Sequence, residues 1–454
     1  MVPMTVSYFL KYSEKKNRGK FGAILYGIFI VALYTIPIGA IILITYFAGG
    51  KTVTADIFNW LATHWLPNVL FFIIFLLFAA SFFGAFELRM PGKLINKSDS
   101  KADRGGVGGI FFMALTLVLV SFSCTGPIVG SILISATQGE IWEPVLAMFV
   151  FSAAFALPFS LLAVFPSFIG KLPKSGGWLN SVKIVLGFIE IALAFKFLSV
   201  ADQTYHWGLL DREIYLSIWI TVFALLGFYF LGKLRFAHDS DVKHIGVFRL
   251  TLSIITFSFV VYMVPGLWGA PLKGLSGYLP PIHTQDFRIG SNTQASESTV
   301  MMSAKYSDFL SLPAGINGFF DYEEALEYSR KVKKPLFIDF TGHGCVNCRE
   351  MEAKVLSDQR IINLLNEEFV VVAIYTDDRK ELPQKEWVTT EEGKILKTLG
   401  KVNSHLANNK YGVGALPYYV IIDGSENIIA PPMGYNLSIP AFIEFLESGK
   451  KNYK

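Results

Sequence analysis

A chain of 454 residues, 52% of them hydrophobic and only 17% charged, is too apolar for an ordinary water-soluble enzyme. The formal net charge of +4 makes no electrostatic case for a nucleic-acid-binding protein. Three cysteines, Cys124, Cys345 and Cys348, exclude a disulfide-stapled scaffold.

The chain opens with Met1-Val2-Pro3-Met4-Thr5 and a polar stretch, without the n-region, short apolar region and A-x-A site of a secretory signal. Seven long apolar runs follow, at roughly 21–48, 67–87, 107–137, 144–170, 180–199, 214–232 and 246–268. Runs of about 20 residues are long enough to cross a ~30 Å hydrocarbon core as helices. The third run is longer than one span needs and carries Cys124-Thr125-Gly126-Pro127 in its middle. Proline removes a backbone hydrogen bond, so a kinked or broken helix is predicted, of the kind that lines a cavity or a site.

Loop charge sets the orientation. Segments 11–20, 88–106, 171–179 and 233–245 hold fifteen Lys and Arg, whereas 49–66, 138–143 and 200–213 hold two. The positive-inside rule then puts residues 11–20 in the cytoplasm and everything after the seventh run on the opposite side. Two of the charges within runs bear on function or placement. Glu190 reads either as a cavity-facing proton relay or as a protonated, hydrogen-bonded structural residue. Lys196 reads as a side chain extending outward to the interface.

Residues 269–317 have the Gly, Ser and Pro content of a linker and no apolar period. From Phe319 the composition becomes that of a soluble α/β domain. An amphipathic helix is predicted near Asp321–Lys333, then a strand Pro335–Phe340 and a helix from Cys345 to about Ser357. Strands follow at Phe369–Tyr375, Tyr418–Ile422 and Ile428–Met433, with a closing helix Pro440–Ser448. The fold class is thus a multi-span helical membrane domain followed by an α/β domain.

Cys345-Val346-Asn347-Cys348 sits where a strand passes into a helix start. Free amides and the helix dipole favour a thiolate there. Such a pair can attack a disulfide through Cys345 and resolve the mixed disulfide with Cys348. A zinc half-site would need a second C-x-x-C or a His pair at ligand spacing, and none follows. A purely structural disulfide is the remaining bland reading.

The stretch Lys334-Pro335-Leu336-Phe337-Ile338-Asp339-Phe340, followed by Cys345-Val346-Asn347-Cys348-Arg349-Glu350-Met351-Glu352, resembles the C-terminal thioredoxin-fold domain of the DsbD family. Ala415-Leu416-Pro417-Tyr418 matches that family's loop, which implies a cis Pro417 facing the cysteines. Asp339 and Glu352 match its two acidic positions beside the dithiol. A buried carboxylate there disfavours the thiolate and restrains Cys345 until a partner docks. One position departs from the pattern: Gly344 stands where a Trp is common, which bears on the shape of the docking surface. The preceding His343 reads as an exposed loop residue, with tuning of the thiolate as the alternative.

Ser123-Cys124-Thr125-Gly126-Pro127 resembles the second cysteine motif of the DsbD/CcdA-like membrane domain, with Leu157-Pro158-Phe159 and Leu172-Pro173-Lys174-Ser175-Gly176-Gly177-Trp178 in support. Met1-Val2-Pro3-Met4 looks like the tail of the first cysteine motif, with Pro3 one of its prolines. The resemblance therefore implies an N-terminally truncated member, its first span and partner cysteine lying ahead of Met1. Its domains would be 1–268 in the membrane, a 269–317 periplasmic linker and 318–454 thioredoxin-like.

The activity so implied is transmembrane protein-disulfide reduction at the bacterial inner membrane. Cytoplasmic thioredoxin would reduce the membrane cysteines, which would pass electrons to Cys345–Cys348 in the periplasm. From there they would go to a disulfide isomerase or cytochrome c maturation proteins. No cofactor is expected, because thiol exchange carries the electrons. The alternative is a membrane transporter or anchor whose thioredoxin-like domain only binds thiol partners. An oxidase running in the reverse direction is a third reading, disfavoured by the acids near Cys345.

Overall fold

The structure, a computed structural model, describes residues 18–47, 63–86, most of 107–118, 142–164, 177–236, 239, 244–286 and 304–453 apart from three single positions. Six helices answer to the apolar runs: α1 (Arg18–Phe47), α2 (Trp65–Phe82), α3 (Trp142–Val164), α4 (Gly177–Tyr205), α5 (Arg212–Phe230) and α6 (Val247–Met263). The described residues within 107–118 are helical as well. Trp65–Phe82, Asn180–Tyr205, Arg212–Phe230 and Val247–Trp268 are long and apolar enough to cross a membrane, and Phe21–Pro37 and Val145–Pro158 are shorter apolar helices.

Two compact units form. In the first, Tyr26, Ile30 and Tyr34 of α1 share a core with Ile110, Ala114 and Met148. A small residue permits the close approach of α1 to α3: a Cβ on Gly27 would lie 2.3 Å from Ser160 Oγ. The hydroxyls of Thr35 and Ser152 add a polar tie at 3.2 Å.

The second unit holds residues 61–79, 185–236 and 241–454, and so joins membrane helices and the α/β domain. The Trp219 indole N–H donates to the Ala192 carbonyl at 3.0 Å, fixing α5 on α4. Ser253 donates to the Gly227 carbonyl at 3.2 Å, fixing α6 on α5. The segment 269–286, expected to open a linker, is instead folded back. Arg212, buried at the start of α5, donates to the carbonyls of Pro280 at 2.7 Å, Pro271 at 3.3 Å and Ala270 at 3.4 Å. Gln285 donates to Gly266 and Leu267. An irregular segment brought against helices must find donors for its carbonyls, and one guanidinium supplies several.

The α/β domain is built on β1 (Leu336–Thr341), an unbroken run buried on both faces and therefore central. It pairs in parallel with β2 (Val370–Tyr375) and antiparallel with β5 (Tyr418–Ile422), in the order β2-β1-β5. A short hairpin of β3 (Val388–Thr389) and β4 (Ile395–Leu396) stands apart. The helices are α7 (Tyr322–Val332), α8 (Val346–Lys354), α9 (Gln359–Glu368), α10 (Leu399–Tyr411) and α11 (Ile439–Asn452). Asp321, Asp358 and Ser438 cap α7, α9 and α11 with side-chain oxygens. The expected strand Ile428–Met433 is reduced to isolated bridges at Ile428 and Met433. Pro431 and Pro432 lie between them and have no N–H to give a ladder.

Candidate active site

Cys345 is the N-cap of α8, and its Sγ accepts the Cys348 amide N–H at 3.1 Å. The two cysteines form a disulfide, with Cys348 buried and Cys345 half-buried at the surface. The position gives Cys345 the free amides and dipole of a helix start, which favour negative charge at its sulfur. Cys348, buried one turn in, is placed to attack Cys345 rather than a partner.

Beneath the dithiol lies a charged cluster. Asp339, in the middle of β1, is buried, and its Oδ1 finds no hydrogen-bond partner among the described residues. Burial, with the Glu352 charge in support and Arg349 opposing, pushes its carboxyl up to about 8. Glu352 lies one helical turn after Cys348 on the same face, and burial raises it too against the pull of Arg349. Arg349 is the counter-ion: its Nη2 lies 2.7 Å from Glu352 Oε1, and it reaches the Gly342 carbonyl at 3.4 Å. Both acids therefore belong to one buried network with Arg349, a residue that sequence reasoning left without a role. The Leu416–Pro417 bond that leads into β5 is cis. Cys124, Pro127 and Pro3 lie outside the described residues.

The loop before the dithiol is pinned by a carboxylate. Asp377 Oδ1 accepts the His343 amide at 2.8 Å and Oδ2 the Gly344 amide at 2.9 Å. A Cβ on Gly342 would sit 2.8 Å from Asp377 Oδ2, so glycine is needed for that approach. His343, expected to be exposed, is buried. Its ring stacks on Tyr375 at 4.5 Å, and Nε2 lies 2.9 Å from Asp378 Oδ2. Asp378 is held well below the usual carboxylate range: burial works against this, but the hydrogen bonds from His206 and His343 outweigh it. No local pattern marks these acids, because their partners come from other elements.

The same loops meet the end of α4. The Arg379 amide donates to the Thr204 carbonyl at 3.1 Å, and its guanidinium donates to Thr63 Oγ1 at 2.6 Å. His206, just after α4, lies 2.8 Å from Asp378 Oδ2. A Cβ on Gly344 would lie 3.3 Å from Val200 Cγ1, which explains the missing Trp: a large side chain here would meet α4. Lys196, expected to extend toward the interface, instead donates to the Gly277 carbonyl at 3.3 Å. Glu190 is half-buried, and its Oε2 has no hydrogen-bond partner among the described residues.

Known proteins share both parts. A family model described as a cytochrome C biogenesis protein transmembrane domain matches residues 1–201, and a thioredoxin-like domain model matches 322–450. The thiol:disulfide interchange protein DsbD 1 of Pseudomonas aeruginosa is 28% identical over 296 residues, covering 64% of this chain and 45% of that protein. DsbD of Campylobacter jejuni is 25% identical over 321 residues, 69% of this chain and 49% of the relative. DsbD of Salmonella typhi is 26% identical over 339 residues, 73% and 52% respectively. The chain spans about half the length of these relatives. With a multi-pass helical domain and a thioredoxin-like dithiol domain both matched, the chain is similar in both of its parts to the DsbD thiol:disulfide interchange proteins.

Proposed function

We propose that the chain is a transmembrane protein-disulfide reductase whose terminal dithiol is Cys345–Cys348. The observation that carries this reading is the N-cap placement of Cys345 with Cys348 one turn behind it. In the reduced form the Cys345 thiolate attacks one sulfur of a client disulfide, and the client's second sulfur leaves as a thiol. Cys348 then loses its proton and attacks Cys345 Sγ, which frees the first client sulfur and restores the Cys345–Cys348 disulfide. Two electrons and two protons pass to the client, so no cofactor is required.

Reduction of that disulfide would come from membrane cysteines, Cys124 among them, supplied by cytoplasmic thioredoxin. The α/β domain would then face the periplasm at the inner membrane, as loop charge favours, and serve disulfide isomerases or cytochrome c maturation proteins. The approach of Gly344 to Val200 and the hydrogen bond from Arg379 to Thr204, both on α4, support a state in which the dithiol is held at the membrane helices. The test is thiol trapping in cells with a mass-shifting alkylator. Cys345 and Cys348 should be found reduced, and should become oxidised on Cys124→Ala or on loss of thioredoxin. A reduced fraction indifferent to both changes would sink the relay and favour a thiol-binding anchor.

A further inference from the structure

Beside the dithiol, three side chains of metal-binding type converge on one point. His206 follows α4, His343 lies two residues before Cys345, and Asp378 lies just after β2. His206 Nε2 and His343 Nε2 approach the same oxygen, Asp378 Oδ2, at 2.8 and 2.9 Å. All three donor atoms lie within 4.8 Å of one another. The Asp378 side chain is fully buried, that of His343 is 7% exposed and that of His206 is 21% exposed.

Each donor is oriented from behind. The His343 ring stacks on Tyr375, and His206 meets Phe309 edge-on at 5.0 Å. Asp378 Oδ1 is occupied by the Lys380 amide at 2.7 Å, which leaves Oδ2 turned to the two imidazoles. Outer contacts of this kind fix the geometry of metal ligands and are the costly part of a metal site. Two imidazoles and a carboxylate form a borderline donor set suited to Zn2+. The two imidazole-to-carboxylate spacings, 2.8 and 2.9 Å, are shorter than the ~3.3 Å that neighbouring ligands keep around a tetrahedral ion with bonds of about 2.0 Å, so an ion would part these donors by a few tenths of an ångström.

We infer that His206, His343 and Asp378 form a binding site for a divalent transition-metal ion of the Zn2+ class. The exposed side of His206 leaves room for water as a fourth ligand. His206 belongs to the membrane helices and the other two ligands to the α/β domain, so a bound ion ties the loop before Cys345 to the end of α4. The site goes beyond the dithiol chemistry and does not depend on it.

The test uses the full chain in detergent, carried on a tag free of histidine, stripped with chelator and kept oxidised so that Cys345 and Cys348 offer no thiolate. Zn2+ is titrated by calorimetry and Co2+ by its visible d–d absorption. One ion should bind per chain, with the intense bands of a four-coordinate site. His206→Ala and His343→Ala should each weaken binding by about tenfold or more, and His405→Ala, on α10 and outside the cluster, should not. His206 lies outside the α/β domain, so its variant carries the test even if His343→Ala misfolds. Absence of uptake, or uptake that His206→Ala leaves unchanged, overturns the assignment.

Discussion

Arg349 and Glu352, one turn apart on α8, form an ion pair of 2.7 Å directly after the second cysteine. The guanidinium is 4% exposed and is the positive charge that faces both Glu352 and the buried Asp339. Removing it strands two carboxyls in a poorly hydrated interior. Arg349→Leu is expected to lower stability by about 3 kcal/mol, measured as a shift in urea midpoint. Adding Asp339→Asn should recover part of that loss, and strictly additive effects in the double-mutant cycle would refute the coupling.

Asp339 makes stability depend on pH. Its ordinary value is 3.8, and in the fold it is pushed up to about 8. Folding therefore takes up a proton between those limits. The stability that the protonated carboxyl contributes is full below its unfolded value and drains away as pH rises through its folded value. Wild-type stability should fall by roughly 3 kcal/mol between about pH 5 and about pH 8. Asp339→Asn should lose most of that slope in denaturation curves at the two pH values.

Gly344 sits against Val200, and a Cβ there would already be at 3.3 Å. Gly344→Trp, which restores the bulky residue common in the family, should push the loop off α4. The reduced fraction of Cys345 in cells should drop by roughly tenfold or more. Reduction of the purified protein by dithiothreitol should be unchanged, because the dithiol itself is untouched.

Arg212 holds three carbonyls of the 269–286 segment. Arg212→Leu leaves them short of a donor, at about 1–3 kcal/mol for each that stays buried. Limited proteolysis should then cut between residues 269 and 286 at rates well above wild type. Equal rates would show that other contacts hold the segment.

Much of this architecture is legible in the residues alone because the signals are local. Apolar runs mark the helices α1 to α6, and the strands β1, apolar but for Asp339 and Thr341, and β2 lie either side of the dithiol in sequence. Other elements were missed although they carry a local signal. Helix α9 has Asp358 as its cap and buried Ile361 and Leu365 at helical spacing, and α10 ends on Gly412 in the left-handed conformation. What no local pattern reveals is the pairing across elements. His343 reads as exposed until Tyr375 and Asp378 are brought over it. Asp377 and Asp378 look like turn acids until one pins the loop before Cys345 and the other gathers two histidines. Within the expected 269–317 linker, the folded-back course of 269–286 is hidden for the same reason, since its contacts come from Arg212 and Gln285.

Gly277 lies so close to the dithiol that a Cβ on it would be 2.7 Å from Val346 Cγ1, the side chain next to Cys345. The chain's own backbone thus occupies ground beside the reactive sulfur that an incoming protein would need. The dithiol is a socket partly overhung by its own chain on the Val346 side. On the function proposed above, a client would reach that side of the dithiol once residues 269–286 give way. The hold of Arg212 and Gln285 on that segment would then bear on access to the sulfurs as well as on stability.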